Sequence, residues 1–107
     1  MVPFQVNIAG VILAAGQSSR FGQPKQLLPW GKRNVLNTCI ATAKHAMLSP
    51  IVVVLGAHYE EILPEMDQEG VEVVINHDWA EGQSTSVKAG VAALPEDVHG
   101  AVFLLAD

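Results

Sequence analysis

Ile8-Ala9-Gly10-Val11-Ile12-Leu13-Ala14-Ala15, followed directly by Gly16-Gln17-Ser18-Ser19-Arg20-Phe21-Gly22-Gln23-Pro24-Lys25, is the stretch whose reading decides the fold. The first half is an apolar run that reads as a strand buried on both faces. The second half is a glycine-punctuated loop carrying one Arg and one Lys, the composition of a phosphate-binding turn. Glycines let backbone N–H groups approach an anion closely, and the two cations neutralise charge that the amides cannot. The spacing excludes two common phosphate loops: Gly16 and Gly22 lie six apart with Lys25 three further on, which is not G-x-x-x-x-G-K-[ST], and no G-x-G-x-x-G is present.

Working outward, three further apolar segments follow: Ile51 to Leu55, Val71 to Ile75 and Ala101 to Ala106. The Val71 segment alternates polar with apolar residues and suits an edge strand. Between the strands lie helical patterns. One runs from Asn34, a candidate N-cap, to Leu48, with Leu36, Cys39, Ile40, Ala43 and Met47 on its apolar stripe and Ser49-Pro50 as the stop. A short one covers Tyr59 to Met66, weakened by Pro64. A third covers Thr85 to Leu94, placing Val87, Val91 and Leu94 together and closed by Pro95. The order β-α-β-α-β-α-β with right-handed crossovers predicts an open parallel sheet with helices on both faces. If the second and third strands lie to one side of the first and the fourth to the other, the switch point falls between strands one and four. Ligands bind outside the carboxyl ends of strands at such a point.

Composition bounds the function. Half the residues are apolar and 16% are charged, which excludes disorder, and no apolar run reaches the roughly 20 residues of a membrane span. A net charge of −5 argues against nucleic-acid binding. Yet Arg20, Lys25, Lys32 and Arg33, four of the six basic residues, cluster after the first strand, an island suited to one small polyanion. Met1-Val2-Pro3-Phe4-Gln5 shows neither a basic n-region nor a cleavage site, so a cytoplasmic location is expected. Cys39, the single cysteine, reads as a packed thiol. His45, His77 and His99 have no partner at metal-ligand spacing, and His58 reads as a solvated residue or a site residue.

Leu13-Ala14-Ala15-Gly16, Ser18, Arg20, Gly22 and Lys25 match the L-A-A-G-x-S-x-R-x-G-x-x-K signature of the nucleotidyltransferases. The continuation Lys25-Gln26-Leu27-Leu28-Pro29-Trp30-Gly31, together with Glu81-Gly82-Gln83-Ser84-Thr85-Ser86, resembles the molybdenum cofactor cytidylyltransferase branch of the MobA-like NTP transferases. That branch is similar to the guanylyltransferases that make the molybdopterin guanine dinucleotide. The resemblance implies a three-layer, Rossmann-like α/β fold of the nucleotide-diphospho-sugar transferase type, with an open, mainly parallel sheet. Family members continue well past the fourth strand, so residues 1–107 would be the N-terminal nucleotide-binding part of one nucleotidyltransferase domain, without the acceptor half.

The resemblance also implies the chemistry: CMP passes from CTP, or GMP from GTP, to a molybdopterin-type acceptor with release of pyrophosphate, aided by Mg²⁺. Leu13, Ala14, Ala15 and Gly16 would bind the nucleotide, and Arg20 and Lys25 would serve catalysis at the phosphates. Asp107, read from its position alone, is either a turn former or a carboxylate facing the phosphate loop; the family's strand motif ending L-A-D makes it a magnesium ligand. Three successive hydroxyls open the third helix, where they can cap free N–H groups or face a ligand. In the family's similar segment they hold the nucleotide, which selects Ser84 and Ser86. Gly56 leaves room for a base, and Asn76 faces the nucleotide or forms a turn. Trp30 and Trp79 pack on the domain or stack a ring. Rival readings are an isoprenoid or sugar-phosphate nucleotidyltransferase, or a non-catalytic accessory domain serving a molybdenum hydroxylase. An uncovered fourth strand bearing Val102, Phe103 and Leu104 would favour a homodimer or poor solubility.

Overall fold

The computed structural model describes residues 6–106. Its sheet contains the parallel strands Ile8–Ala14, Ile51–Leu55, Glu72–Ile75 and Gly100–Leu105, in the spatial order third, second, first, fourth. The first strand is therefore paired on both edges: Gly10 to Ala14 run beside Ile51 to Leu55, and Ile8 to Leu13 beside Gly100 to Leu105. This is the Rossmann-like α/β arrangement, with its switch point between the first and fourth strands.

Successive side chains of a strand point to opposite faces. Ile12 and Ala14, with Ile51, Val53 and Leu55, face helix α1 (Val35–His45) and the short helix α2 (Tyr59–Ile62), meeting Leu36, Ile40, Ala43, Ile62 and Met66. Val11, Leu13 and Ala15, with Val52 and Val54, face helix α3 (Gln83–Ala92), where Val87, Ala93 and Leu94 pack. Burial on both faces is why the first two strands read as unbroken apolar runs. Each fully buried Val, Leu or Ile contributes about 2 kcal/mol of transfer free energy. The third strand, half-buried and polar at Glu72, is an edge, as its alternation implies.

Helix α1 starts where Asn34 Oδ1 accepts from the Asn37 N–H at 2.7 Å. It stops earlier than the periodicity predicts. Met47 takes a left-handed backbone (φ 61), the Leu48 N–H donates to Ala43 O at 3.1 Å and the Met47 N–H to Lys44 O at 3.0 Å. That is a Schellman closure with methionine in the place glycine favours. Met47 is consequently 86% exposed rather than part of the apolar stripe, and Leu48 folds back over Gly10. Pro64 has the effect expected of it: α2 gives way to a 3₁₀ turn over Leu63–Glu65. Helix α3 begins at Gln83, two residues before the predicted start, and Val91 is 48% exposed instead of packed.

On the other edge, Val102 and Phe103 of the fourth strand are exposed, while Leu104 packs against the α1 face. Among the described residues no helix is long and apolar enough to cross a membrane.

Two glycine-related substitutions should have opposite signs in denaturant unfolding. A Cβ on Gly90 would lie 2.6 Å from Val11 Cγ1 and 3.2 Å from Val54 Cγ2, so Gly90→Ala forces α3 away from the sheet and should cost about 2 kcal/mol. Met47→Gly relieves the left-handed residue and should add up to about 1 kcal/mol.

Candidate functional site

All four strands are parallel, so their carboxyl ends open on one edge. There, a cleft of about 180 Å³ lies between Leu13 of the first strand, Ala15 and Gly16 just past its end, Leu105 of the fourth, and Trp79, Gln83 and Ser86 from the segment entering α3. It occupies the switch point. Leu13, Ala15, Gly16 and Ser86 are thus brought together as the sequence implied. Ala14 faces the α1 side. Ser84 is exposed in the first turn of α3 and does not line the cleft. Asp107 lies outside the described residues; Ala106, which precedes it, donates its N–H to Leu13 O at 3.0 Å beside the cleft.

The segment after Gly16 is more structured than a glycine loop. Ser19–Arg20 and Gln23–Pro24 pair antiparallel around a two-residue tip, Phe21-Gly22, with φ of 54° and 79°. Both residues being left-handed is the mark of a type I′ hairpin. Gly22 therefore serves the turn. The hairpin holds Arg20 and Lys25 in solvent, with the Arg20 guanidinium carbon 5.9 Å from the centre of the Phe21 ring and Phe21 itself 91% exposed. A second hairpin pairs Pro29–Trp30 with Arg33–Asn34 through Gly31 (φ 62). It leaves Trp30 exposed rather than packed.

The backbone between the strand and the hairpin is held at five successive carbonyls. Gln26 Nε2 donates to Ala14 O at 2.9 Å and to Gly16 O at 3.1 Å. The Ala57 N–H donates to Ala15 O at 3.1 Å, and the Lys25 N–H to Ser18 O at 3.0 Å. The Nε2 of His58 meets Gln17 O at 2.9 Å, while its Nδ1 lies 3.5 Å from the Glu61 carboxylate. His58 is thus a tether for the loop rather than a solvated histidine. Gln26 went unseen as a functional residue in the sequence because it sits in a 3₁₀ turn, Lys25–Leu27, where neither helix nor strand periodicity applies. Its side chain is fully buried, and its Oε1 meets no hydrogen-bond partner among the described residues. A polar side chain in that state is costly unless its bonds matter to the local fold.

Two expected roles change. The space beside Gly56 is filled by protein: a Cβ there would lie 2.8 Å from Ala15 Cβ and 2.9 Å from both Ala15 O and Trp79 Cβ. The glycine lets Trp79 and Ala15 close together, so on its Cβ side Gly56 packs against protein. The hydroxyls of α3 are not caps either. The N-cap is Gly82, with no side-chain bond to the free N–H groups, and Thr85 Oγ1 turns back to Gly82 O at 2.7 Å and Asp78 O at 3.0 Å. Asn76, buried, is bonded wholly within the protein, to Thr85, Ser86 and the Asp78 N–H. Trp79 is half-buried and forms a cleft wall. Cys39 directs its thiol at Leu105 O, 3.8 Å away, and burial pushes its pKa up, which disfavours the thiolate.

A larger recess of about 520 Å³ opens on the far side of the hairpin, between Gln23, Pro24, Leu27, Asn34, Glu61 and Glu65. Its two carboxylates oppose a phosphate, so the cleft at the switch point is the better anion site. Among the described residues no three His, Cys, Asp or Glu side chains are grouped to hold a metal.

The family model described as the MobA-like NTP transferase domain matches residues 10–107. The chain belongs to the MobA-like NTP transferase family. Curated relatives include a nicotine blue oxidoreductase of Paenarthrobacter nicotinovorans, 35% identical over 92% of this chain and 48% of its own length. A molybdenum cofactor cytidylyltransferase of Escherichia coli is 40% identical over 78% of this chain and 44% of its own. A probable molybdenum cofactor guanylyltransferase of Bacillus cereus is 30% identical over 83% and 44%. Among solved structures, Rv0371c of Mycobacterium tuberculosis superposes with a TM-score of 0.83 at 33% identity, covering 95% of this chain and 52% of that one. A manganese complex of the same protein gives 0.80 at 31%, covering 95% and 51%. The chain spans about half the length of each of these proteins.

Gln26→Leu keeps the bulk of this side chain in the MobA-like fold and deletes both of its bonds to the loop. It should lower stability by about 2 kcal/mol in denaturant unfolding and speed hydrogen exchange at the amides of residues 16–18 relative to the sheet.

Proposed function

We propose that this chain is the nucleotide-binding part of a nucleotidyltransferase that moves CMP from CTP to a molybdopterin-type acceptor. The observation that carries the reading is the cleft at the switch point, bounded by Gly16, with the Arg20 and Lys25 hairpin following directly from it. The cleft combines apolar walls from Leu13, Ala15, Trp79 and Leu105 with the polar Gln83 and Ser86, a lining that suits a nucleoside, and the two exposed cations that follow Gly16 in the chain suit its triphosphate. The family includes both an oxidoreductase and transferases by name, so membership alone does not choose the reaction; the basic hairpin favours phosphate chemistry.

In the proposed reaction a phosphate oxygen of the acceptor attacks the α-phosphorus of CTP. The new O–P bond forms as the bond to the bridging oxygen breaks, and pyrophosphate leaves with that electron pair. Positioning and charge stabilisation supply most of the rate in such transfers. Arg20 binds the β- and γ-phosphates, and Lys25 neutralises charge gathering at the α-phosphate and bridging oxygen. A divalent cation, when bound, would screen the triphosphate. The family resemblance assigns this ion to Asp107, the residue after Ala106 in the chain, and a carboxylate suits magnesium, usually held by one or two carboxylates plus substrate phosphates. The manganese complex of Rv0371c supports a divalent ion in this family. CTP is preferred over GTP on Leu13-Ala14-Ala15-Gly16 and on the higher identity to the cytidylyltransferase, 40% against 30%.

The test is a titration of the chain with CTP and with GTP in Mg²⁺, read by indole fluorescence, since Trp79 walls the cleft. CTP should quench at lower concentration than GTP, and Lys25→Ala should weaken CTP binding about tenfold, as expected for loss of one charge-assisted contact. Equal affinities would remove the cytidylyl assignment. Binding of neither nucleotide would overturn the reading.

A further inference from the structure

Asn76 follows the third strand and is 5% exposed. The orientation of its amide is fixed by its surroundings. The Asp78 N–H donates to Oδ1 at 3.0 Å, so the opposite end is the nitrogen. That Nδ2 donates at 2.9 Å to Thr85 Oγ1 and at 2.9 Å to Ser86 Oγ. A hydroxyl that accepts from an amide must turn its own proton elsewhere. Thr85 sends its proton back to the carbonyls of Gly82 and Asp78. Ser86 finds no acceptor among the described residues, although its side chain is 4% exposed and lines the cleft beside Gly16 and Trp79. A buried hydroxyl left with one unused donor, in the wall of a cleft, marks where a ligand acceptor fits.

We propose that Asn76 is a positioning residue that fixes Ser86 as a hydrogen-bond donor, so that the cleft accepts at this point an acceptor atom of the nucleoside and disfavours an N–H group. The inference rests on the nucleotide reading of the cleft. It moves Asn76 out of ligand contact and gives its effect a direction. The site chooses by hydrogen-bond polarity, and polarity discriminates strongly because the wrong partner leaves two like groups facing each other unpaired.

Asn76→Asp tests this directly. The side chain keeps its shape and still accepts from the Asp78 N–H, but it now accepts from Ser86 instead of donating to it. The Ser86 proton is drawn to the carboxylate, and a lone pair faces the cleft. In the indole titration with CTP and Mg²⁺, Asn76→Asp should lose affinity about tenfold, as should Ser86→Ala, the size of one hydrogen bond. The double variant should lose no more than either single one, because both remove the same donor. Thr85→Val, which shares the amide but lies off the cleft, should stay within about twofold. Thermal melts run alongside separate folding from binding; should Asn76→Asp not fold, Asn76→Ala, which lets the hydroxyl rotate, carries the test with a smaller loss. CTP binding by Asn76→Asp within twofold of the unaltered chain, or losses that add in the double variant, would overturn the positioning role while leaving the nucleotide site intact. Failure of the unaltered chain to bind CTP or GTP would overturn both.

Discussion

The pairing of Ile8–Ala14 with a parallel strand on each edge is the constraint on which the rest depends. A strand so placed has no solvent-facing side, which demands small or branched apolar residues throughout and leaves Ala9, Val11, Ile12, Leu13 and Ala14 at 5% exposure or less. It also fixes where the chain can come out. Because neighbours flank it on both edges, the carboxyl end of the strand opens at the point where the sheet order reverses, and the cleft forms there. Gly90 serves the same constraint from above, letting α3 settle onto Val11 and Val54 and carry Ser86 to the cleft wall.

Past Ala14 the ladder ends, yet the backbone is not released. The carbonyls of residues 14–18 are held by Gln26, Ala57, His58 and Lys25, groups drawn from the following turn, the second strand's exit and the hairpin base. Holding these oxygens fixes the peptide planes between them, so the segment keeps its path without help from a ligand. A segment held in this way costs less to order when a ligand binds against it.

Much of the fold was legible because it follows from burial. Ile51 to Leu55 emerged with its predicted bounds, and the alternation at Glu72 marked an edge. The N-cap at Asn34 was readable from residue type alone. The departures share one cause: hydrogen bonds that close locally and leave no hydrophobic period. Met47 lies on the helical stripe by spacing, but the Schellman bonds of Leu48 and Met47 end the helix first. The phosphate loop looked open because Gly16 and Gly22 bracket it, whereas Phe21 shares the left-handed turn with Gly22 and makes a hairpin. Leu13, Ala15, Gly16 and Ser86, read together from the motif, line one cleft, while the tethers at Gln26 and His58 and the inward amide of Asn76 were not legible. Residue identity tells that an amide can donate and accept; only the position of the Asp78 N–H tells which end does which.

Backbone amide chemical shifts during addition of CTP and Mg²⁺ to the isotopically labelled chain test the central claim most directly. The largest changes should fall on residues 13–18 and on 83–86, the two segments that meet at the cleft. Changes confined instead to the recess among Gln23, Leu27, Asn34, Glu61 and Glu65, with 13–18 and 83–86 unmoved, would contradict it.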